Sequence, residues 1–223
     1  MINDYVLFSR LPLLQGISST DILGWEEALR LDIDELPASR MPLIRQGDPC
    51  SQMLWLVEGE LEKEHASADG LYTTRLQLQA PAIIEADRLF GLTPTYEHTY
   101  RAKTDVKMLS ISKSHVSNHL MKSEVFRFNL LNTLSACAQK RATALRPLLM
   151  DTAEEKVKHL LYRLFPDCNG QAELIIQMKD LASYIDETRL TVSQILNRWD
   201  AEGIIRLGRG HFVVPDTSVL QKK

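Results

Sequence analysis

The chain has 223 residues, 44% hydrophobic and 25% charged, with a formal net charge of −3. That length suits two ordinary domains, and the composition excludes a disordered chain. No apolar run reaches the roughly 18 residues that span a bilayer. Met1-Ile2-Asn3-Asp4-Tyr5 shows no basic-then-apolar leader, and Cys50, Cys137 and Cys168 are too scattered for a disulfide framework. A cytoplasmic, reducing setting with no membrane partner is the expectation.

In chain order, residues 1–36 read as helical pieces. Ser18-Ser19-Thr20-Asp21 offers capping oxygens before Ile22, Trp25, Leu29 and Ile33, which recur at helical spacing. From Arg40 to Ile111 the pattern changes to short apolar runs such as Leu54-Trp55-Leu56-Val57. Gln46-Gly47-Asp48-Pro49, Ala68-Asp69-Gly70 and Leu92-Thr93-Pro94 punctuate these runs with turns. Several short strands separated by turns predict an antiparallel sandwich or barrel.

Lys113 to Leu145 contains no Gly or Pro and predicts one helix of about 30 residues, some 45 Å long. Apolar positions recur at Leu120, Leu130, Leu131, Leu134, Cys137, Ala138 and Leu145; Leu130, Leu134, Cys137, Ala138 and Leu145 are the expected seam of a parallel homodimer, the economical partner for such a helix. A core helix within one domain is the alternative. This segment is also the basic part of the chain, with 6 basic residues against 1 acidic over 112–150. Pro147 marks its end.

The last 70 residues restart with Asp151-Thr152-Ala153-Glu154-Glu155, a capping pattern for a helix through Val157, Leu160, Leu161 and Leu164. A short strand, Leu174-Ile175-Ile176, precedes two helices, Lys179 to about Ile185 and Thr188 to Ala201. Ile204 to Leu207 and His211 to Val214, joined by Gly208-Arg209-Gly210, read as a hairpin. Helix, turn, helix and hairpin make a winged helix-turn-helix.

In the second of those helices Val192, Ile195, Leu196 and Trp199 fall on one stripe, leaving Arg189, Ser193, Gln194, Asn197 and Arg198 outward. A helix entering the major groove needs this division. Arg189 suits guanine and Gln194 adenine. Thr191, Ser193 and Arg198 suit phosphate, and Arg206 and Arg209 suit the flanking backbone. Lys179 and Thr188 complete the set expected to meet double-stranded DNA.

Met178-Lys179-Asp180-Leu181-Ala182-Ser183-Tyr184-Ile185, Arg189-Leu190-Thr191-Val192-Ser193-Gln194-Ile195-Leu196 and Glu202-Gly203-Ile204-Ile205 resemble the catabolite-activator/Fnr (Crp/Fnr) family of bacterial transcription regulators. Leu43-Ile44-Arg45-Gln46-Gly47-Asp48, Leu56-Val57-Glu58-Gly59-Glu60-Leu61 and Arg101-Ala102-Lys103-Thr104-Asp105-Val106 resemble that family's cyclic-nucleotide-binding β-roll. The resemblance covers nearly the whole chain in order. It implies an α+β protein: an antiparallel β-roll effector domain over 1–112, a dimerisation helix over 113–147 and a winged helix-turn-helix over 148–223. It also implies a homodimer that reads an inverted repeat, with RNA polymerase as a further partner if the protein activates. A small-ligand sensor that acts through protein contact is the second function considered.

The sequence departs from that family where a cyclic phosphate would sit. Cyclic AMP binders carry Phe-Gly-Glu-Leu and, about ten residues on, Pro-Arg-Ser/Thr-Ala, whose arginine pairs with the phosphate. Here the stretches are Ile83-Ile84-Glu85-Ala86 and Tyr96-Glu97-His98-Thr99-Tyr100, with no glycine in the first and no arginine in the second. A carboxylate at Glu97 would oppose a phosphate. Glu85, Tyr96, His98 and Tyr100 are the residues expected to line the equivalent pocket, and no control by cyclic AMP is expected. Three distant cysteines do not make an iron–sulfur site, and nothing favours a haem ligand. His115 and His119, one helical turn apart, lack a third metal ligand. No cofactor, no metal and no catalytic group are expected. Leu190 stands where many members have a glutamate, so a different half-site is expected.

Overall fold

The computed structural model describes residues 2–29, 33–144, 152–165 and 170–217. The chain divides into two compact units. One comprises Met1–Lys63 and Leu78–Ala138, the other Glu64–Gln77 and Gln139–Lys223. This grouping differs from the sequence boundary at residue 112 in two ways: residues 113–138 group with the strand-rich half, and the hairpin end Glu64–Gln77 groups with the C-terminal residues.

In the first unit, helices α1 (Ile2–Phe8) and α2 (Ser19–Leu29) precede strand β1 (Ile33–Leu36). Ile33 does not continue a helix: it pairs with Leu109 of β8 (Val106–Ser112), so tertiary pairing overrides the helical spacing. β1, β8, β3 (Gln52–Glu58) and β6 (Ala82–Ile84) form one antiparallel sheet in that order. β2 (Pro42–Ile44) pairs with β7 (Thr99–Ala102), which neighbours β4 (Glu60–Ala66). Trp55, Leu56, Leu61 and Leu109 are fully buried between them. Gly59 makes the tight turn from β3 to β4. Its φ is +89°, and a Cβ there would lie 2.4 Å from the Asp105 carbonyl oxygen.

The long helix is broken. α3 (Lys113–Asn118) is capped by Ser112, a 3-10 turn spans Leu120–Lys122, and α4 runs 21 residues over Glu124–Ala144, about 31 Å. Ser123 Oγ accepts the Phe126 amide, and the Arg127 guanidinium donates to the Met121 and Lys122 carbonyls, so local capping holds the break. Phe126 and Leu130 are buried in the first unit's core, and Leu134 packs against it. Asn129 donates to the carbonyls of Leu13 and Gln15, and Trp55 to that of Pro12, which ties the N-terminal segment down.

In the second unit, α5 (Ala153–Leu164) starts at a reciprocal Thr152–Glu155 capping box. Strand β9 (Ala172–Ile176), helices α6 (Met178–Tyr184) and α7 (Arg189–Ala201), and the hairpin β10 (Arg206–Gly208) and β11 (His211–Val214) follow. β11 pairs with one side of β9. Tyr72–Leu76 of β5 (Tyr72–Gln79), from the hairpin end, pairs with the other. Tyr72 and Leu76 pack on the core built by Leu161, Phe165, Leu174, Leu181, Val192, Trp199 and Phe212.

Candidate functional site

Helix α7 is positioned by its start and its buried face. Ile185–Thr188 turns the chain between α6 and α7, with Asp186 at φ +54° and the Glu187 amide donating to the Ala182 carbonyl. Thr188 caps α7: its Oγ1 accepts the Thr191 amide at 3.1 Å and lies 2.8 Å from Thr191 Oγ1. Val192, Ile195, Leu196 and Trp199 are all buried, as the sequence stripe requires.

The opposite face is exposed and polar. Arg189, Gln194, Asn197 and Arg198 are exposed, while Thr191 and Ser193 are half-buried. Lys179 on α6, Arg206 on β10 and Arg209 at the hairpin turn are also exposed. Several side chains in this set are already engaged. The Thr188 and Thr191 hydroxyls meet each other, and Asn197 Nδ2 donates to Ser193 Oγ at 3.2 Å. Arg198 pairs with Glu154 of α5 and lies 3.9 Å from Glu202. Glu154 also accepts the Trp199 indole N–H at 3.1 Å. Burial acts to raise the Glu154 pKa, but Lys158, Trp199 and Arg198 together hold it below the ordinary carboxylate value. This anchor lies 44 residues from Arg198 in sequence, and no local spacing reveals it.

The first unit gathers a second polar cluster. Glu85 follows β6 at φ +42° and ψ +48°, a left-handed conformation that strains a non-glycine residue. Its carboxylate is 7% exposed and makes three contacts. It accepts the Glu97 amide at 2.6 Å and the Tyr100 hydroxyl at 3.0 Å, and His98 Nδ1 lies 2.6 Å away. Burial acts to raise the Glu85 pKa. The bonds from His98 and the Glu97 amide outweigh it and hold the group below its ordinary value. His98 is lowered, by burial first, with Lys63 adding to that and Glu85 opposing it. Neutral His98 donating Nδ1–H to an ionised Glu85 satisfies both directions. Tyr100 is raised by burial and by Glu85, so its hydroxyl stays a donor. Tyr96 is buried, its hydroxyl 3.4 Å from the Gln52 carbonyl, and is likewise raised by burial first.

The four residues expected to line the pocket thus lie together, but three of them are bound to one another through the Glu85 carboxylate. The sequence reading missed Arg88. It pairs with Glu97 and lies 3.8 Å from Asp87, so the Glu97 charge is met inside the protein. Among the described residues, buried Arg88 Nε has no hydrogen-bond acceptor, its contact to Asp87 being an ion pair at 3.8 Å.

On α4, Leu130 gives its side chain to its own unit's core, a correction to its place on the expected dimer stripe; Leu134 is half-buried against the same core. Cys137 is half-buried and Ala138 exposed. Leu145 lies outside the described residues. Of the large apolar side chains described on α4, Phe128 and Leu131 are more than half exposed, at 57% and 58%, and Val125 is 39% exposed. Among the described residues, no helix is long and apolar enough to cross a membrane, and no group of three His, Cys, Asp or Glu could hold a metal ion.

Comparison with known families assigns residues 155–223 to the Crp-like helix-turn-helix domain and residues 39–123 to the cyclic nucleotide-binding domain. The chain belongs to the Crp/Fnr family of transcription regulators. Among solved structures, the catabolite activator protein of Thermus thermophilus is 20% identical. It matches over 94% of this chain and 96% of its own, with a TM-score of 0.53. The sensor domain of the transcriptional regulator DNR of Pseudomonas aeruginosa is 18% identical over 67% of this chain and 97% of its own, with a TM-score of 0.54. No match is found among curated proteins. As a Crp/Fnr regulator the chain is a DNA-binding protein of a family of regulators rather than of enzymes.

Proposed function

We propose that this Crp/Fnr regulator acts as a homodimer that reads an inverted repeat in double-stranded DNA, and that cyclic AMP does not control it. The observation that carries the DNA part is α7: a buried apolar stripe on one side, and Arg189 and Gln194 exposed on the other. Arg189 suits a bidentate contact to guanine and Gln194 one to adenine. Lys179, Arg206 and Arg209 supply phosphate contacts, with Thr188, Thr191, Ser193 and Asn197 as shorter polar neighbours. We assign Arg198 to anchoring α7 through Glu154 rather than to phosphate.

The occupied Glu85 cluster argues against cyclic AMP. An internal carboxylate already takes the Glu97 amide, the Tyr100 hydroxyl and the His98 ring nitrogen, and a cyclic phosphate brought to those donors would meet a buried negative charge. The exposed α4 face, Phe128, Leu131 and Ala138, is the seam of that dimer, and dimer symmetry calls for two half-sites about one helical turn of DNA apart, about 34 Å. RNA polymerase is the further partner if the protein activates, and the cytoplasm is the site of action.

Selection of duplexes from a random pool by the purified protein tests this reading. The expected result is an enriched inverted repeat, unchanged when cyclic AMP is added. Enrichment that requires cyclic AMP, or an unpaired single site, overturns the corresponding part.

A further inference from the structure

The N-terminal turn of α7 carries an apolar side chain that its own fold does not use. Leu190 is 69% exposed, the most exposed of the large apolar side chains among the described residues of the second unit. It lies two residues before Val192, about 200° around the helix from the buried stripe. The polar side chains beside it are committed within the chain. Thr188 and Thr191 bind each other, Asn197 binds Ser193, and Arg198 pairs with Glu154. Among the described residues no side-chain hydrogen bond or ion pair holds Arg189 or Gln194, so the tips projecting from the first half of α7 are Arg189, Leu190 and Gln194.

Leu190 and Gln194 are four residues apart, about 6 Å along the axis, and stand nearly above one another on a single strip of the helix. A strip that presents an amide and, one turn nearer the N-terminus, a branched apolar group matches an edge that offers hydrogen-bonding atoms and an apolar group one or two base pairs apart. In the major groove the one apolar feature of the four bases is the C5 methyl of thymine. We propose that Leu190 is a specificity-determining residue that packs on a thymine methyl within the half-site, one or two base pairs from the base pair read by Gln194. Cytosine at that position lacks the methyl and presents an amine donor that Leu190 cannot satisfy.

This inference rests on the DNA-reading role of α7 proposed above, and its test separates the two. A duplex enriched from the random pool is remade with deoxyuridine in place of each thymine in turn, which removes only the methyl. Affinities of the full-length protein are measured by fluorescence anisotropy at fixed salt. One thymine per half-site should lose affinity about fourfold on conversion to uracil, the value of one buried methyl group. Converting it in both half-sites should cost about fifteenfold by the same reckoning. Leu190→Ala should bind the thymine and uracil duplexes equally while keeping its discrimination at the other positions and its unfolding temperature. If no thymine is sensitive to loss of its methyl, or if the sensitive one stays sensitive in Leu190→Ala, the assignment of Leu190 is wrong while the DNA reading stands. If no duplex is enriched by the wild-type protein, the DNA reading fails and this inference with it.

Discussion

Glu154 holds two successive residues of α7, pairing with the Arg198 guanidinium and accepting the Trp199 indole N–H at 3.1 Å. One carboxylate on the first turn of α5 therefore serves both an exposed cation and a fully buried aromatic ring. The link fixes the C-terminal half of α7 against α5 and leaves its N-terminal half to reach outward.

Arg198→Ala accordingly tests which task that cation performs. A phosphate contact contributes about one unit to the slope of log K against log salt. With Arg198 committed to Glu154, the slope should stay within error of wild type, whereas Arg206→Ala or Arg209→Ala should each lower it by about two, one for each subunit of the dimer. Glu154→Ala removes the acceptor of a buried indole N–H. It should destabilise the second unit by about 1–3 kcal/mol in urea unfolding, most of it from the orphaned donor rather than the half-exposed ion pair.

The same pair shows how far the sequence could be read. The buried face of α7 was legible because its four apolar residues repeat at helical spacing, and burial is a local consequence of that period. Glu154 was not, because a partner 44 residues away leaves no trace in the helix's own pattern. Arg88 was missed for a similar reason: it ends a 3-10 turn and meets Glu97 from another segment of chain. Ile33 kept helical spacing yet became a strand once β8 offered it a backbone partner. The break at His119–Ser123 escaped because it has no Gly or Pro and rests on capping by Ser123 and Arg127. Leu130 fits an apolar stripe equally well for a dimer and for a core, and only packing distinguishes them.

The Glu85–His98 pair makes the first unit sensitive to acid. Both groups have folded-state pKa values below their ordinary ones. A lowered pKa means that the unfolded chain binds the proton more readily, so stability is present above the ordinary pKa and is lost as pH falls through the folded one. For His98 the loss starts just below 6.5, and for Glu85 just below 4.5. Lys63 and Glu97 face His98 with opposite effects, and Tyr100 stays neutral throughout. Thermal unfolding followed by the fluorescence of buried Trp55 should show a falling midpoint between pH 7 and pH 5.5. His98→Asn, which keeps a donor near the Nδ1 position without titrating, should flatten that step. A step of the same size in the variant would remove His98 as its source.

The register of α4 separates core from seam. Leu130→Ala empties a site 4% exposed in the first unit and should cost about 2–5 kcal/mol of stability. Phe128→Glu and Leu131→Glu alter side chains more than half exposed and should leave the unfolding midpoint of the monomeric unit nearly unchanged. In sedimentation equilibrium the wild type should be dimeric, and either glutamate variant should dissociate, because a charge placed in an apolar seam is left without a partner. Dimers that survive both substitutions would move the seam away from this face.

Arg189 is the clearest single probe of sequence reading. It is the first residue of α7 and is exposed; its side chain makes no hydrogen bond or ion pair among the described residues, so its removal should not disturb the fold. Arg189→Ala should lower affinity for the enriched duplex by about 1–3 kcal/mol per half-site and relax preference at one position of each, the behaviour of a lost bidentate contact to guanine. Binding to unrelated duplex should fall far less, since the phosphate contacts from Lys179, Arg206 and Arg209 remain. That contrast is the decisive readout: a loss equal on all sequences would make Arg189 another phosphate contact, and would leave Leu190 and Gln194 as the remaining candidates for reading bases.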